Sequence, residues 1–550
     1  MTRTQNTTYL PLFPIYGNGT PVGAEGEVVV VNFCGIGGSC EGLKNAMKRP
    51  PTHAINHNPV AIGLHRRNLP HTHHHLQDVW SVNPADLAGG RKIAVAWFSP
   101  DCTHFSRAKG GKPKEQKIRD LAWVTEGYAA LPEHEKPRII FLENVAEFMT
   151  WGPLDDAGQP IKARAGETFR AFIAMLEGHG YQVEYRVLTA SDYGAPTSRK
   201  RFFLIARSDG EAIHWPEPTH GNPKSKAVQD GKLLPWRTAA DCIDWNIPAP
   251  SVFSRIDPVK GKPMKPLAKN TMLRIARGLK KFVKECGKPF IVPEGDAAAF
   301  LTNKQFGNES RSVDAPLATI TTNHNKQELV TANLVHFYGV KSSTEVRGQS
   351  LDTPLKTQTT ENRHGLVTAS LIKHYGGGYT GAGSAADAPI STITAHDHNG
   401  LLLSNLIRFN GTNDAGPCDK PLGTLTTKER FGLSVAALAK RCGPHVTDAY
   451  ELMLAYAPEC LTERDHAARA VFVEVDGEEY VIADVYMRML TPRELARGQS
   501  FSDDYVLEFT ADGKPVTKTD QVAGIGNSVP PIMAEVLCRA NLPFGSGLKA

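Results

Sequence analysis

A cysteine, a carboxylate and two arginines stand in settings that suit covalent and acid–base chemistry. Cys102 lies in WFSPDCTHFSRAKGGKP (97–113), a loop rich in Pro, Ser and Gly behind an apolar stretch that reads as a strand. Arg107, Lys109 and Lys112 follow closely, and nearby cations lower a thiol's pKa and favour the thiolate nucleophile. A cysteine on its own more commonly reads as a small buried apolar residue. In FLENVAEF (141–148), Glu143 and Asn144 end an apolar strand. A carboxylate held at such an edge can serve as a general acid, and the same two residues also read as a cap for the next helix. Arg199 and Arg201, in DYGAPTSRKRFFLIA (192–206), open a strand with one residue between them and are expected on the same face.

Two further segments read as ligand-binding turns. In VVVVNFCGIGGSCEGL (28–43) a strand ends at Phe33, and the chain turns through Gly35, Gly37 and Gly38 into a helix near Ser39. Glycines let backbone approach a ligand closely, and a helix start offers unpaired N–H groups; a tight strand–helix turn alone would look the same. QVAGIGNSVPPIMAEVL (521–537) reads as a Gly-Asn turn leading through Val529 and Pro530 into a helix. PHTHHHL (70–76) crowds four histidines into an apparent loop without a cysteine at ligand spacing, so a solvated loop is expected rather than a metal site.

The elements that must position these residues are legible as alternating patterns. VVVVNF (28–33), KIAVAWFS (92–99), RIIFLENV (138–145) and RFFLIAR (201–207) are short β-branched or aromatic runs. RDLAWVTEGYAAL (119–131) and GETFRAFIAMLEGHG (166–180) carry apolar residues at helical spacing. The alternation predicts a parallel sheet covered by helices. Residues 1–25 read as a polar arm, and 211–300 as connections containing one basic helix, LRIARGLKKFVKECG (273–287). DAPLATITT (314–322), DTPLKTQTT (352–360), DAPISTITA (387–395) and DKPLGTLTT (419–427) repeat a pattern of Asp, Pro and Thr-x-Thr. NLVHFYG (333–339), SLIKHYG (370–376) and NLIRFNG (405–411) follow the first three copies. This predicts a β-rich unit of similar hairpins. A helical stretch near 435–458 and a hairpin, FVEVDGEEYVIA (472–483), come next.

Composition bounds the function classes. The 550 residues are 41% hydrophobic and 22% charged, as in ordinary globular proteins. A formal net charge of +5 permits nucleic-acid binding without demanding it. No run of about 18 apolar residues occurs, which argues against a membrane span, and the N-terminus lacks a signal-like apolar core. Nine cysteines without a CxxC argue for reduced thiols and against a structural metal. The expected setting is cytoplasmic.

Taken in order, these motifs resemble the DNA (cytosine-5) methyltransferase family. The resemblance covers about 27–210 and 486–540, carried by FCGIGG, SPDCTHFS, ENV, YGAPTSRKR, LTPRELARGQSF and GIGNSVPP. It implies an α/β, Rossmann-like S-adenosylmethionine-dependent domain over 26–210, completed by about 515–545. It also implies a smaller β-rich target-recognition domain over 301–485 holding the repeats, and C-terminal motifs over 486–550. Cys102 would be the nucleophile, Glu143 the group that holds the base, Asn144 its positioning neighbour, and Arg201 and Arg199 contacts to the base. S-adenosylmethionine would lie against Phe33, Gly35, Ile36, Gly37, Gly38, Asp78, Val79, Pro100, Asn527, Ser528 and Val529, with no metal. Asp78 alone would read as a helix cap. The implied activity is cytosine C5 methylation of double-stranded DNA by base flipping, as in restriction-modification systems, with a monomer plausible. An RNA cytosine-5 methyltransferase and an inactive DNA-binding relative are the alternatives. Three positions depart from the family's pattern: Asp101 stands between Pro100 and Cys102, Asn56-His57 replaces the ribose-binding acid, and Thr197 replaces a Gln.

Overall fold

The computed structural model describes residues 26–100, 120–285, 287, 289, 445–475 and 477–542. Between 297 and 435 it describes strands only: β8 (Ala297–Asn303), β9 (Arg311–Ser312), β10 (Gln327–His336), β11 (Thr368–Lys373), β12 (Ser384–Ala385), β13 (Asn399–Leu406) and β14 (Leu433–Val435). These residues fall into two compact units. One holds the described residues up to Asp244 and from Leu490 onward; the other holds those between Trp245 and Met489. The boundaries therefore divide the 211–300 stretch between the units.

The first unit is built on β1 (Val28–Asn32), β2 (His53–Asn56), β3 (His73–Leu76), β4 (Ile93–Phe98), β5 (Ile139–Asn144), β6 (Gln182–Thr189) and β7 (Lys200–Arg207). They form one sheet in the order β3-β2-β1-β4-β5-β7-β6. The first five are parallel, and β7 runs antiparallel to both β5 and β6. Every residue of β1, β4 and β5 is buried. Strands covered on both faces become continuous apolar runs, which is why VVVV and IAVAWF read so clearly. Alternate residues supply the two layers. Val29, Val31, Trp97 and Phe141 face α1 (Gly38–Met47) and α11 (Pro531–Asn541) through Leu43, Met533 and Leu537. Val28, Val30, Phe98 and Leu142 face an aromatic layer of Phe148, Trp151, Phe169 and Phe172, the last two on α5 (Glu167–Gly178). This is the Rossmann-like architecture expected.

Strands leave β1 in both directions, β2 on one side and β4 on the other. In open α/β sheets that switch point leaves a crevice at the carboxyl ends of the strands. The C-terminal segment returns there. A Cβ on Gly42 of α1 would stand 2.1 Å from the Pro531 carbonyl, so only glycine lets α11 approach this closely. Arg207, at the end of β7, is buried; it bonds Asp209 at 3.0 and 2.8 Å and the Asn541 carbonyl at 3.0 Å.

Two local readings change. HTHHHL is not a solvated loop: His73–Leu76 is the edge strand β3, held in register with β2. β3 alternates faces, so His74 meets His65 of α2 (Pro59–Asn68) while His75 meets His53. GIGN is not a turn but the end of helix α10 (Lys518–Asn527). Gly524 is needed inside that helix because a Cβ would stand 2.5 Å from Ile36 Cγ2.

The second unit carries an antiparallel sheet in the order β9-β8-β10-β16-β15, where β15 is Phe472–Val475 and β16 Glu478–Met489, the expected hairpin. A second sheet has the order β12-β11-β13-β14. The segments expected as strands from 333, 370 and 405 begin inside β10, β11 and β13. The four Asp-Pro-Thr repeats and the 1–25 arm lie outside the described residues. The basic helix starts earlier than expected, as α6 (Lys269–Leu279), and continues into a wider turn over Lys280–Lys284. With α7 (Val446–Tyr456) it packs Ile275, Leu279 and Met453 onto Ile482 and Val485. Asp465, in α8 (Glu463–Ala468), is fully buried; it accepts from Lys284 Nζ at 2.8 Å, Thr462 N at 2.7 Å and Phe472 N at 2.8 Å. Among the described residues no helix is long and apolar enough to cross a membrane.

Candidate active site

The first wall is the turn after β1. Phe33 takes φ 57, an unusual value for a residue with a side chain, and Gly35 and Gly37 follow at φ 53 and 106. Cys34 N bonds Ile55 O at 3.1 Å and Gly37 N bonds Cys34 O at 2.9 Å, so the turn is closed before the helix starts. Its underside has no spare room. A Cβ on Gly38 would stand 2.0 Å from Ser528 Oγ and 2.1 Å from Val529 O, and one on Gly37 would stand 2.7 Å from the Tyr505 hydroxyl. That hydroxyl donates to the Ile36 carbonyl. Around Gly35, by contrast, a Cβ would meet no described atom within 4 Å. Beneath the turn, buried Asn32 accepts from Tyr128 Oη at 3.0 Å, and its Nδ2 has no partner among the described residues. A backbone cradle with an open side and an unspent buried donor suits a small ligand carrying acceptors.

Asp78 lies beyond β3. It is exposed, and Oδ1 caps the turn Val79–Ser81 by accepting from Trp80 N at 2.9 Å. The capping reading therefore holds, and it leaves the carboxyl at the surface; Leu76 and Trp80, two residues to either side in sequence, are 51% and 54% exposed. Val79 is buried and packs in the same layer as Phe33. Asn56 Oδ1 accepts from Asn58 N at 2.8 Å and so belongs to the turn into α2, while His57 is exposed.

The second wall comes from β4, β5 and β7. Glu143 and Asn144, the last residues of β5, are buried at 6% and 1%. Because β7 is antiparallel, its first residues lie at the same edge. There the Arg201 Nε stands 3.1 Å from Glu143 Oε1. Asn144 Nδ2 donates to the Pro100 carbonyl at 3.3 Å, and its Oδ1 accepts from Val145 N at 2.8 Å. The ENV turn thus holds the point where the chain leaves β4 toward Cys102. Cys102 itself lies outside the described residues.

Arg199 and Arg201 meet different groups. Arg199 precedes the strand, so strand alternation does not govern it. It is buried, and its Nη1 donates to the Gly526 carbonyl of α10 at 2.8 Å. Thr197 is also fully buried. Asn527 is exposed at the end of α10, Ser528 caps it, and Val529 is buried behind Gly38. The ninth motif forms α9 (Pro492–Gly498), opened by a reciprocal cap between Thr491 and Glu494. Its Gln499 Nε2 reaches the Ile525 carbonyl at 3.4 Å.

The described cysteines, Cys34, Cys40, Cys242, Cys460 and Cys538, are all buried. Desolvation pushes their thiols up, that of Cys242 to about 12 and that of Cys460 to about 11, which keeps them protonated and inert. Among the described residues no group of three or more potential ligands could hold a metal. Sequence reasoning missed Tyr505, Tyr128 and Trp80. Nothing local in FSDDY or VTEGY points to β1, whereas the alternation of Leu76, Asp78 and Trp80 in LQDVW offered a signal.

Comparison with known proteins places this geometry in context. The family described as C-5 cytosine-specific DNA methylase matches residues 31–244 and 417–541, more than half of the chain. The type II methyltransferase M.SacI of Streptomyces achromogenes is 29% identical over 197 residues, 34% of this chain and 47% of that protein. M.AgeI of Thalassovita gelatinovora is 27% identical over 201 residues, 36% of this chain and 43% of that protein. A rat tRNA (cytosine(38)-C(5))-methyltransferase is 27% identical over 191 residues, 34% of this chain and 44% of that protein. The chain spans a little under half the length of each of these relatives.

Proposed function

The chain belongs to the C-5 cytosine-specific DNA methylase family, and from that premise we propose that it methylates carbon 5 of cytosine in double-stranded DNA. The observation that carries the reading is the meeting, at one sheet edge, of the Glu143–Arg201 pair with the Asn144-anchored loop that leads to Cys102.

S-adenosylmethionine fits the cradle: the open side of Gly35 admits a ligand against the backbone, and Asn32 Nδ2 offers a donor. Phe33, Gly35, Ile36, Gly37 and Gly38 would hold it from the turn, with Val79, Pro100, Asn527, Ser528 and Val529 around it. Asp78, exposed and flanked in sequence by Leu76 and Trp80, suits an amino-bearing flat ring. Bound there, it supplies an electrophilic sulfonium methyl group. Carbon 5 of cytosine is a weak nucleophile. The Cys102 thiolate adds to carbon 6, forming an S–C6 bond and pushing electron density to carbon 5. Glu143 holds the ring N3 and its proton as charge builds there, and Arg201 keeps that carboxylate oriented and reaches toward the base O2. Arg199, spent on Gly526, is a positioning residue. Carbon 5 would then take the methyl group, whose bond to the sulfonium sulfur breaks to leave a neutral thioether; with the C5 proton passed to a water-type base, the C5–C6 double bond re-forms, the S–C6 bond breaks and the Cys102 thiolate returns. A stacked base is out of reach, so the cytosine must first leave the duplex.

The test uses duplex DNA containing 5-fluorocytosine, whose C5 fluorine cannot leave as a proton. An SDS-stable complex should form with the wild type and vanish in Cys102→Ser; a complex unchanged in that variant refutes the assignment. The similarity to a tRNA enzyme favours one second reading, RNA methylation. Tritiated-methyl transfer to duplex DNA and to tRNA, run side by side, separates the two.

A further inference from the structure

Residues 254–266 of the second unit form a finger whose tip, among the described residues, is exposed. Asp257 N bonds Lys262 O at 2.9 Å, Gly261 N bonds Asp257 O at 2.9 Å, and Met264 N bonds Arg255 O at 2.8 Å. Ile256 and Pro263 pair across it. Asp257, the one acid between Arg255 and Lys269, accepts from Val259 N and Lys260 N, both at 2.9 Å, and its exposed carboxylate also feels the Lys260 ammonium. Pro258, Pro263 and Pro266 restrict the backbone further.

What this finger presents is unusual. Val259 at its tip is 79% exposed, Ile256 is 50% exposed, and Met264 is 37% exposed. Beside them Lys260, Lys262 and Lys265 are exposed and form no ion pair with a described residue. The hairpin thus offers apolar side chains interleaved with three exposed lysines and a single acid. It matches a surface where anionic groups alternate with apolar faces at fixed spacing, and its shape needs no further ordering when it docks.

We infer that this finger is a docking element for the phosphate backbone of duplex DNA, with Val259 set against the sugar edge of a groove. The inference rests on the reading of DNA as substrate. Three lysines directed at phosphates carry no base code, so the finger supplies affinity and not the choice of cytosine.

The test is the full chain with Lys260→Ala, Lys262→Ala and Lys265→Ala combined, beside a separate Val259→Asp. Binding to a mixed-sequence duplex is measured across a salt series. Removing one lysine–phosphate pairing should make the dependence of log affinity on log salt shallower by about 0.9, so the triple variant should lose roughly 2–3 from the slope and about 10-fold or more in affinity. Val259→Asp should weaken binding with a smaller change in slope. The methylated position should stay the same in both. Unchanged affinity and slope in the triple variant, with wild-type binding intact, overturns the finger alone. Loss of binding in the variants of a protein that transfers no methyl group supports the finger and overturns the proposed activity. Wild-type binding to tRNA and not to duplex DNA overturns both.

Discussion

The Arg201 guanidinium stands 3.1 Å from the Glu143 carboxylate, with 13% and 7% of the two side chains exposed. A salt bridge this well shielded costs more when one partner is removed than when both are, because the survivor is left charged and unpaired. Arg201→Ala should therefore lower unfolding free energy by about 3 kcal/mol, and Glu143→Gln added to it should restore part of the loss. Glu143→Gln alone should reduce methyl transfer by about 100-fold or more. Urea denaturation and a tritium-transfer assay on the same preparations read both effects; a loss in the double variant equal to the sum of the two single losses would show that the pair is not coupled.

Gly42 and Gly90 separate a steric requirement from a conformational one. Gly42→Ala drives a methyl group into the Pro531 carbonyl and should cost about 2–3 kcal/mol. Gly90 has φ 75 and open space around a Cβ, so Gly90→Ala should cost only about 1 kcal/mol of backbone strain. Thermal melting of the two variants tests the difference, and a similar shift in both would deny the close approach of α11.

The histidines of the β2–β3 edge make stability depend on pH. Burial, then the neighbouring His74, holds fully buried His65 down at about 3. Burial, with His75, His73 and Arg91, holds His53 at about 4, and burial with Arg66 holds His74 at about 4. Each pKa is depressed on folding, so the unfolded chain binds the proton first. Their stabilisation is complete above the unfolded value near 6.5 and is lost as pH falls toward 4 and then 3. For fully buried His65 the slope is at most about 1.4 kcal/mol per pH unit, and the half-exposed His53 and His74, screened by solvent, contribute less. Denaturant midpoints taken from pH 8 to 4 should decline below about 6.5, and His65→Gln should flatten that decline. A flat profile in the wild type would contradict it.

Asp465 is the hub of the second unit. Its carboxyl is pushed up by burial but brought below the ordinary carboxylate range by Lys284, Thr462 and Phe472. Asp465→Asn should destabilise this unit by about 3 kcal/mol, since Lys284 keeps its charge without a counter-ion. The wild-type contribution is present above the unfolded pKa and disappears as pH falls through the lower folded one. Limited proteolysis would report the loss as faster cleavage between 245 and 489; an unchanged rate would speak against the hub.

The strands that bear the site were legible because each is buried on both faces. VVVVN, IAVAWF and IIFLEN could scarcely be anything but central strands of a covered sheet. The turn after Phe33 and the carboxylate at the end of β5 were legible for the same reason, since reactive groups gather where such strands stop. The histidine run was misread because its alternation served two different partners, His65 and His53, and looked like no single pattern. GIGN was misread because its glycines signal a turn in isolation, whereas here Gly524 makes room for Ile36 inside a helix.

The amino-acid order by itself determined which segments become strands, which turns carry glycine, and which chemical groups stand at their ends, because those depend on neighbours within a few residues. Only the tertiary structure decided what those groups do for one another: Arg199 spent on Gly526 while Arg201 meets Glu143, Tyr505 bound to the Ile36 carbonyl, and Asn144 holding Pro100. Arg199 and Gly526 are 327 residues apart. No local spacing records such a pairing; it exists because close packing brings α10 and α11 back onto the β1 turn, where a single methyl group would not fit.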